Sequence, residues 1–274
     1  VATPATLQKR SHTVQKIQNI IHKRYGRKYQ LEVFGSTRYG VDTESSDLDL
    51  VIIDPDRILG IEPHIFRPKF PGEYRSLTRL ADVLRREQFT NIQAIPFASV
   101  PIVKFHDPDT GIQGDININH QLGLFNTHLL AAYCNIYPNL RVLIRAVKTW
   151  AKSHGLNEPS PKGAGEQTSF SSYALTLMIV VFLQVKGVIP NLQSGLPPFD
   201  PTASTGLFWL SKKGEGKTAC DVRFRIPHDW VPSPSTRSLT GDEASVGDLL
   251  VEWFRFWGWE ADYGRTQASI KHGG

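Results

Sequence analysis

The chain has 274 residues, of which 40% are hydrophobic, and its 31 Lys and Arg against 26 Asp and Glu give a net charge of +5. This length suits one large or two modest domains, and the apolar content excludes a chain that is disordered throughout. The mild positive charge permits a polyanionic partner without requiring one. Two cysteines are too few for a disulfide framework, which favours a reducing compartment. We expect an intracellular protein, in the cytoplasm rather than the nucleus or mitochondria.

The first predicted element is an amphipathic helix. Thr3 before Pro4 has the pattern of an N-cap and first helical residue, and apolar residues then recur at helical spacing until Gly26. The first thirty residues contain no acidic residue, which predicts either a positive surface at one end of the fold or an ordinary solvated helix face. The basic residues concerned are Lys9, Arg10, Lys16, Lys23, Arg24, Arg27 and Lys28.

No part of the sequence suggests a membrane segment. The N-terminal residues lack an apolar stretch, and the longest near-continuous apolar run, Tyr173–Leu183, is shorter than the roughly 18 residues that a membrane span needs. We therefore expect a soluble protein without membrane association. A chain that begins at Val1 is expected to be a shortened form of the protein.

Beyond the first helix the hydrophobic periodicity separates a sheet-forming region from helical ones. Short apolar or alternating runs predict strands at Leu31–Phe34, Leu48–Ile53, Asn91–Ile95, Ile102–Phe105 and Ile112–Ile118. Helical spacing predicts helices at Tyr74–Gln88, Leu124–Tyr133, Leu140–Ser153, Ser171–Val185 and Val246–Trp257. The region Lys186–Thr240 is less regular, with short strands predicted at Leu207–Leu210 and Val222–Ile226. The fold class is therefore α+β, with a mixed-sheet domain at 28–119 and a mainly helical domain at 1–27 and 120–274.

Asp47 and Asp49 are the first candidate functional residues. Because residues i and i+2 of a strand face the same side, these two carboxylates point together while Leu48 and Leu50 are free to pack. Two unit charges about 4 Å apart repel by about 4 kcal/mol at an effective dielectric near 20. A divalent ion, Mg²⁺ or Mn²⁺, relieves that repulsion, and two such ions can bind the attacking and leaving oxygens of an in-line displacement.

Asp115 and the pair Gly35-Ser36 complete the pattern. Asp115 lies in a second apolar strand, where it would act as a general base or share the catalytic metal. Gly35 allows close backbone approach at a turn, and Ser36 offers a hydroxyl and an N–H to triphosphate oxygens. Gly-Ser alone is most often an ordinary turn and Asp-x-Asp alone a surface strand or loop. The combination of all these features is much harder to explain without metal-dependent phosphoryl chemistry.

At these residues the sequence resembles the noncanonical poly(A) polymerases and terminal uridylyltransferases of the DNA polymerase β nucleotidyltransferase superfamily. The resemblance covers about Leu31–Gln193 and resumes weakly at Leu249–Lys271. Beyond the carboxylates it rests on Leu124-Phe125-Asn126-Thr127, Val147-Lys148-Thr149-Trp150-Ala151-Lys152, Ser171-Ser172-Tyr173 and Pro190-Asn191-Leu192-Gln193. It implies a nucleotidyltransferase catalytic domain, a helical central domain and an active site in the cleft between them.

The resemblance also implies roles for residues of the helical region. Asn126 and Thr127 correspond to ribose contacts, which would favour a ribonucleotide through its 2′-hydroxyl. Lys148 and Lys152 correspond to triphosphate-binding lysines. Independently of any family, these lysines follow Arg141 and Arg145 at 4-3-4 spacing, which aligns four positive charges on one helix face. Such a stripe suits a polyanion, although an exposed helix face would also account for it.

Two further nucleotide contacts are implied at the start of a later helix. Ser172 corresponds to a phosphate or base-edge contact, and Tyr173 to the aromatic ring that stacks on the incoming base. Without the family, a tyrosine at the start of an apolar helix is more often part of a core. Trp150 is assigned to packing, because Leu143 and Val147 surround it at helical spacing.

The resemblance implies an RNA 3′-terminal nucleotidyltransferase that works without a template. It would transfer a nucleoside monophosphate from UTP, CTP or ATP to an RNA 3′-hydroxyl, using two divalent ions and releasing pyrophosphate, as a monomer. Two alternatives keep the fold: a small-molecule nucleotidyltransferase and a catalytically inactive RNA-binding scaffold. In this family an acidic-Pro-Phe loop after the last helix helps to select the base. Pro198-Phe199-Asp200 lies between helices, so that role is not carried over and the base is left open.

Overall fold

The computed structural model describes residues 1–62, 73–159, 168–212, 216–227, 230–231, 245–265 and 267–273. The chain divides into two compact units. The first, which we call the sheet unit, comprises Val1–His128 and Pro198–Arg223. The second, the helical unit, comprises Leu129–Pro197 and Phe224–Gly274.

The sheet unit contains almost all of the strands and helices predicted for the first half of the chain. Its elements are α1 (Pro4–Tyr25), β1 (Gln30–Phe34), α2 (Ser36–Tyr39), β2 (Leu48–Ile53), a 3₁₀ turn (Pro55–Arg57), α3 (Glu73–Arg86), β3 (Thr90–Ile95), β4 (Ile102–Asp107), β5 (Ile112–Ile118), the first half of α4 (Leu122–Ile136), β6 (Leu207–Lys212) and β7 (Gly216–Asp221). The predicted strands and helix between residues 31 and 119 are confirmed to within two residues at each end.

One predicted strand is wrong. The segment Val222–Ile226 alternates apolar and polar residues, but the strand lies just before it, at β7. β7 pairs with β6 as an antiparallel hairpin in which Leu207 faces Asp221 and Lys212 faces Gly216. Alternation alone does not make a strand, because the hydrogen-bonding partner decides which segment joins the ladder.

The main sheet has the strand order β1-β2-β5-β4-β3 and is mixed, as the sequence predicts. β2 and β5 run parallel, whereas the β1–β2, β5–β4 and β4–β3 pairs are antiparallel. One face of the sheet packs against α1 and α3 in a single apolar core. Fully buried residues of this core include Ile17, Ile21, Leu48, Leu50, Leu80, Leu84, Val103 and Ile116.

Helix α1 belongs to this sheet unit. The Thr3 side chain accepts a hydrogen bond from the Thr6 N–H at its start, and Gly26 follows its last turn with φ 109°. Its apolar stripe, which includes Ile17 and Ile21, joins the sheet core. Residues 1–27 and 198–223 therefore lie with the sheet, whereas the sequence had suggested grouping them with the helical domain.

The helical unit consists of the second half of α4, then α5 (Asn139–Ser153), α6 (Ser172–Val185) and α7 (Val246–Arg255), which continues into a π-helical turn at Phe256–Glu260. α5 packs against both α6 and α7. The assignment of Trp150 to packing is confirmed, because its ring contacts Trp253 and Phe254 at centroid distances of 6.2 and 4.7 Å. Across the described part of the chain, no helix combines the length and apolar character that crossing a membrane would require.

Candidate active site

The Asp-x-Asp motif lies at the start of β2. Asp49 is half-buried in the strand, between Leu48 and Leu50, which are both fully buried on the other face. Asp47 immediately precedes the strand and is exposed. The predicted alternation is therefore confirmed for Asp49: Leu48 and Leu50 enter the core and leave the Asp49 carboxylate on the opposite side. Asp47 lies just outside the strand, so strand alternation does not fix its direction.

Asp115 lies on the strand adjacent to the motif. In the parallel pairing of β2 and β5, Asp49 is the register partner of Asp115. Burial raises the pKa of Asp115 above its usual value; the Lys104 ammonium opposes this shift, and the negative charge of Asp47 adds to it. The expectation that a third acid would sit on a neighbouring strand is confirmed, and all three aspartates belong to the sheet unit.

Gly35 makes room for the Asp49 carboxylate. Its backbone has φ 71° and ψ −157°, a region that is essentially restricted to glycine. A Cβ atom built on Gly35 would overlap the Asp49 side chain. Ser36 is the first residue of the short helix α2, and its carbonyl accepts hydrogen bonds from the N–H groups of Gly40 and Val41. The Gly35-Ser36 turn therefore lies against the Asp-x-Asp motif, with which the sequence analysis had grouped it.

Lys104 is a residue that the sequence interpretation missed. It lies on β4 opposite Asp115, and its Nζ donates to both carboxylate oxygens of Asp115 at 3.1 Å. Val103 and Phe105 on either side are buried, so Lys104 points to the opposite face. Its position between two apolar residues of a predicted strand could have identified it, because strand alternation places Lys104 on the same face of the sheet as the Asp115 carboxylate.

The three aspartates are chemically suited to bind a divalent metal ion. Carboxylate oxygens are the hard ligands that Mg²⁺ and Mn²⁺ prefer, and Asp47, Asp49 and Asp115 supply them. Within the described ranges, however, no three acidic, histidine or cysteine side chains already form a cluster that could hold a metal ion. The Asp115 carboxylate is engaged by Lys104 instead, so metal binding would require it to exchange that partner.

Asn126 and Thr127 lie on α4, in the part of the helix that belongs to the sheet unit. Asn126 is half-buried, whereas Thr127 is only 2% exposed. The Thr127 Oγ1 accepts a hydrogen bond from the Gly35 N–H at 2.8 Å and donates one to the Gly123 carbonyl at 2.7 Å. The two residues implied as ribose contacts therefore differ sharply in accessibility.

The predicted phosphate-binding lysines lie on α5 in the helical unit. Leu143, Val147 and other residues of one helix face are buried, and on the other side Lys148 is half-buried and Lys152 is exposed. Arg141, the first residue of the predicted basic stripe, donates to the Cys134 carbonyl at 2.6 Å and to the Asn135 Oδ1 at 2.7 Å. Its guanidinium therefore binds the end of α4 within the same unit.

Ser172 and Tyr173 form the first turn of α6, also in the helical unit. Ser171 is the N-cap, and its Oγ accepts a hydrogen bond from the Ala174 N–H at 3.1 Å. The Ser172 hydroxyl donates to the Asn157 Oδ1 at 3.1 Å. Tyr173, the position for which base stacking is implied, keeps 41% of its surface exposed.

The basic N-terminal residues are partly neutralised within the sheet unit. Buried Arg10 forms an ion pair with Asp42, and Lys16 binds Asp107 and Asp109 at 2.8 and 2.6 Å. Lys28 pairs with Asp56 as well. The positive surface that the sequence allowed is therefore reduced by these pairs. The burial of Arg10 could have been predicted from the sequence, since Arg10 lies seven residues before buried Ile17 and therefore on the same helix face.

A cavity of about 750 Å³ lies in the helical unit and does not coincide with these residues. Its lining is rich in aromatic side chains, among them Trp150, Phe170, Trp253, Phe254 and Trp257. None of the predicted site residues is among the described residues that line it. An apolar cavity without phosphate-binding groups does not suit a triphosphate, so we place the candidate site at the carboxylates.

The family model "Poly(A) RNA polymerase, mitochondrial-like, central palm domain" matches residues 2–135 of the chain. Poly(A) RNA polymerase cid13 of Schizosaccharomyces pombe is 31% identical over 273 residues, which cover 97% of this chain and 41% of that protein. The chain thus spans less than half the length of this relative.

Two solved structures share the fold. The GLD-2 structure in complex with RNP-8 superposes with a TM-score of 0.72 at 27% identity and covers 100% of this chain and 76% of the other. The Cid1 poly(U) polymerase with Mg 3′-dATP bound has a TM-score of 0.71 at 23% identity, covering 99% and 74% of the two chains.

The sheet, the carboxylates and these structural likenesses define a DNA polymerase β-like nucleotidyltransferase fold. Residues 2–135 are similar to the central palm domain of mitochondrial-like poly(A) RNA polymerases, and the chain over most of its length is similar to poly(A) RNA polymerase cid13 and to GLD-2.

Proposed function

We propose that the protein transfers a nucleoside monophosphate from a ribonucleoside triphosphate to the 3′-hydroxyl of an RNA, without a template and with release of pyrophosphate. The observation that supports this most strongly is the register of β2 and β5, which sets Asp49 directly opposite Asp115 with Gly35 against the Asp49 carboxylate. The cid13 relative carries the name poly(A) RNA polymerase, and Cid1 was solved with Mg 3′-dATP bound.

Each site residue has a proposed role in this reaction. Asp47 and Asp49 bind divalent metal, and two ions would supply charge neutralisation at the phosphates and at the attacking oxygen. Asp115 orients the RNA 3′-hydroxyl and, as a metal ligand or a general base, assists removal of its proton. Gly35 and Ser36 present the turn on which the triphosphate rests.

The helical-unit residues are proposed to hold the nucleotide. Lys148 and Lys152 bind triphosphate oxygens through their ammonium groups, and Tyr173 stacks on the base. Ser172 contributes a phosphate or base-edge contact, and Asn126 of the sheet unit contacts the ribose. Asp47, Asp49 and Asp115 determine how a nucleotide is joined, whereas these other contacts bear on which nucleotide is accepted.

The test is an extension assay on a short RNA with Mg²⁺ or Mn²⁺ and each of the four ribonucleoside triphosphates separately. We expect extension with at least one of UTP, CTP and ATP, and loss of about 10³-fold or more in Asp49→Ala, because metal ligation supplies several kcal/mol to the transition state. Glu44→Ala is the matched control, since Glu44 is an exposed acid in the loop before the motif. Wild-type protein that extends no RNA with any triphosphate would refute the proposal.

The same assay separates the two rival activities. Triphosphate consumption that depends on a small-molecule acceptor and not on RNA would support the small-molecule transferase. Metal-dependent triphosphate binding without turnover on any acceptor would support the inactive scaffold.

A further inference from the structure

The aromatic cavity of the helical unit takes no part in the proposed reaction. Its volume of about 750 Å³ lies within the range of small-molecule sites. The described walls come from α5, α6, residues between these helices, and the segment from α7 to Ala268, and all of them belong to the helical unit. Aromatic and aliphatic side chains make up most of these walls, so an occupant must be apolar over most of its surface.

The aromatic walls are held together by edge-to-face contacts. The Trp150 and Phe254 rings meet with centroids 4.7 Å apart at 74°, and Trp253 and Phe254 meet at 5.0 Å and 76°. In the next turn, Phe256 and Trp257 meet at 5.0 Å and 81°. An aromatic ring carries negative potential on its faces and positive potential at its edge, so each such contact is electrostatically favourable. A ring face that is turned to the cavity attracts a cation for the same reason.

The charged groups of the described lining are acidic. Glu260 ends the π-helical turn Phe256–Glu260, and Asp262 follows two residues later. Trp257 and Tyr263, from the same short segment, also line the cavity, and the Tyr263 hydroxyl donates to the Trp257 carbonyl. No lysine, arginine or histidine is among the described lining residues. This segment therefore combines carboxylates with indole and phenol rings, a set that favours a cation and repels an anion.

A lysine of the protein shows how this combination holds a cation. The Lys186 ammonium donates to the Glu260 carboxylate at 2.7 Å and lies 5.7 Å from the centre of the Phe256 ring. Asp262 has a weaker partner, because the Arg265 Nε lies 3.7 Å away and the Arg265 side chain is 88% exposed. Ion pairs exposed to this degree contribute little, so Asp262 can bind a second cation.

We propose that this cavity binds a small organic cation, namely a quaternary or tertiary ammonium group on an apolar body. The head lies by Trp257, Asp262 and Tyr263, and the body fills the interior beside Trp150 and Trp253. A free molecule is favoured over a protein segment because the volume matches that of small-molecule sites. The inference does not depend on the proposed function, because none of these residues belongs to the sheet unit that holds the three aspartates.

Three probes of similar length test the sign of the charge. They are phenylbutyl-trimethylammonium, its neutral isostere with carbon in place of the quaternary nitrogen, and the carboxylate phenylpentanoate. We expect the cation to bind about fivefold more tightly than the neutral isostere and the carboxylate to bind weakest, since only the cation is attracted by the aromatic faces. Tryptophan fluorescence measures each Kd, because Trp150, Trp253 and Trp257 line the cavity.

Two substitutions locate the cationic head. Asp262→Asn removes the charge with little change in shape, and should weaken binding of the cation about threefold while the neutral isostere stays within about twofold. Ala268→Arg places a positive charge at an exposed position of the lining and should weaken the cation about tenfold. Glu252→Gln is the matched control, because Glu252 pairs with Arg255 three residues later and is not among the described lining residues.

The outcomes are distinct. Equal binding of the cation and the neutral isostere would make the cavity a plain apolar pocket and overturn the inference. Preference for phenylpentanoate, or no binding of any probe, would overturn it as well. If a peptide with one trimethyllysine binds and the free cation does not, the site belongs to a protein partner and the inference fails. These Kd values do not depend on RNA extension, so failure of the proposed function would leave this test intact.

Discussion

The two units hold their candidate site residues in different ways. In the sheet unit, Asp49 and Asp115 are placed by strand register, and Gly35 is held by the buried Thr127 hydroxyl. In the helical unit, Lys152 is exposed and Tyr173 keeps 41% of its surface in solvent. The difference teaches that substitutions in the sheet unit should disturb the chemical step through backbone geometry, whereas those in the helical unit should weaken nucleotide binding and leave the fold intact.

The largest effect that would test this contrast is expected for Gly35→Ala. The new Cβ would overlap the Asp49 carboxylate, and the positive φ strains any other residue by about 1–3 kcal/mol. We expect extension activity to fall by about 10³-fold, mostly in kcat, since the clash displaces a proposed metal ligand. Steady-state kinetics and a thermal melt of the same sample measure the two effects separately.

Gly111→Ala is the matched control for this substitution. Gly111 has φ 75°, yet a Cβ atom there meets nothing within 4 Å. It therefore carries the strain of a positive φ without the clash, and should lower stability while activity remains. Equal losses of activity in the two variants would show that strain, and not the Asp49 contact, accounts for the effect.

The next largest effect concerns the loop that leads to Asp47. Buried Arg10 binds Asp42 and also donates to the Thr43 and Ser46 carbonyls, each at 2.9 Å. Arg10→Met should lower the free energy of unfolding by about 3 kcal/mol, because it leaves a buried carboxylate without its partner. Urea unfolding at neutral pH measures this change.

A second substitution distinguishes stability from geometry at this loop. In Arg10→Met with Asp42→Leu the buried charge is gone, so most of the lost stability should return. We expect extension activity to be reduced in Arg10→Met and to stay reduced in the double variant, since the Ser46 carbonyl next to Asp47 lacks the guanidinium that holds it in both. Full recovery of activity in the double variant would contradict a role for Arg10 in placing Asp47.

Local patterns in the sequence were sufficient for much of the fold and for part of the site. The placement of Asp49 opposite the buried Leu48 and Leu50 follows from the alternation of a single strand, and the N-terminal helix follows from Thr3, Pro4 and its apolar spacing. The contacts that were missed join residues far apart in the chain. Thr127 and Gly35 are separated by 92 positions, and no periodicity reports such a pairing.

The domain grouping shows a similar limit. The first helix was recognised correctly, but its amphipathic pattern says only that one face is buried and does not say against what. The structure places that face on the sheet core. In the same way, Asp115 could be assigned to a neighbouring strand, whereas its register opposite Asp49 and its bond to Lys104 depend on how the strands pair.

The helical unit provides the complementary test, through Lys148→Ala. We expect KM for the triphosphate to rise about tenfold with kcat changed less than about twofold, because an ammonium that binds phosphates equally in the ground and transition states affects binding alone. Lys9→Ala, an exposed lysine on α1, is the control. A fall in kcat at unchanged KM would place Lys148 with the residues of the chemical step, and the contrast between the units would fail there.

The smallest expected effect is the most informative about the sheet unit, because it concerns the competition between Lys104 and metal for Asp115. The Lys104 and Asp115 side chains are 43% and 24% exposed, so solvent screening limits their ion pair to about 1 kcal/mol or less. Lys104→Met removes a positive charge that metal must displace. Mn²⁺ should then bind about three- to fivefold more tightly in the absence of nucleotide, as measured by electron paramagnetic resonance of free Mn²⁺.

Lys217→Met is the control for the change in net charge, since the Lys217 Nζ donates to the Glu62 carbonyl at 3.0 Å rather than to a carboxylate of the site. Weaker Mn²⁺ binding in Lys104→Met would mean that the lysine holds Asp115 in the orientation that metal needs. Unchanged binding would remove Asp115 from the ligand set and leave it the general base. Tighter binding would make Lys104 the cation that balances Asp115 until metal arrives. It would account for Asp49 and Asp115 lying opposite each other on adjacent strands although the acidic residues that the structure describes form no metal-holding cluster.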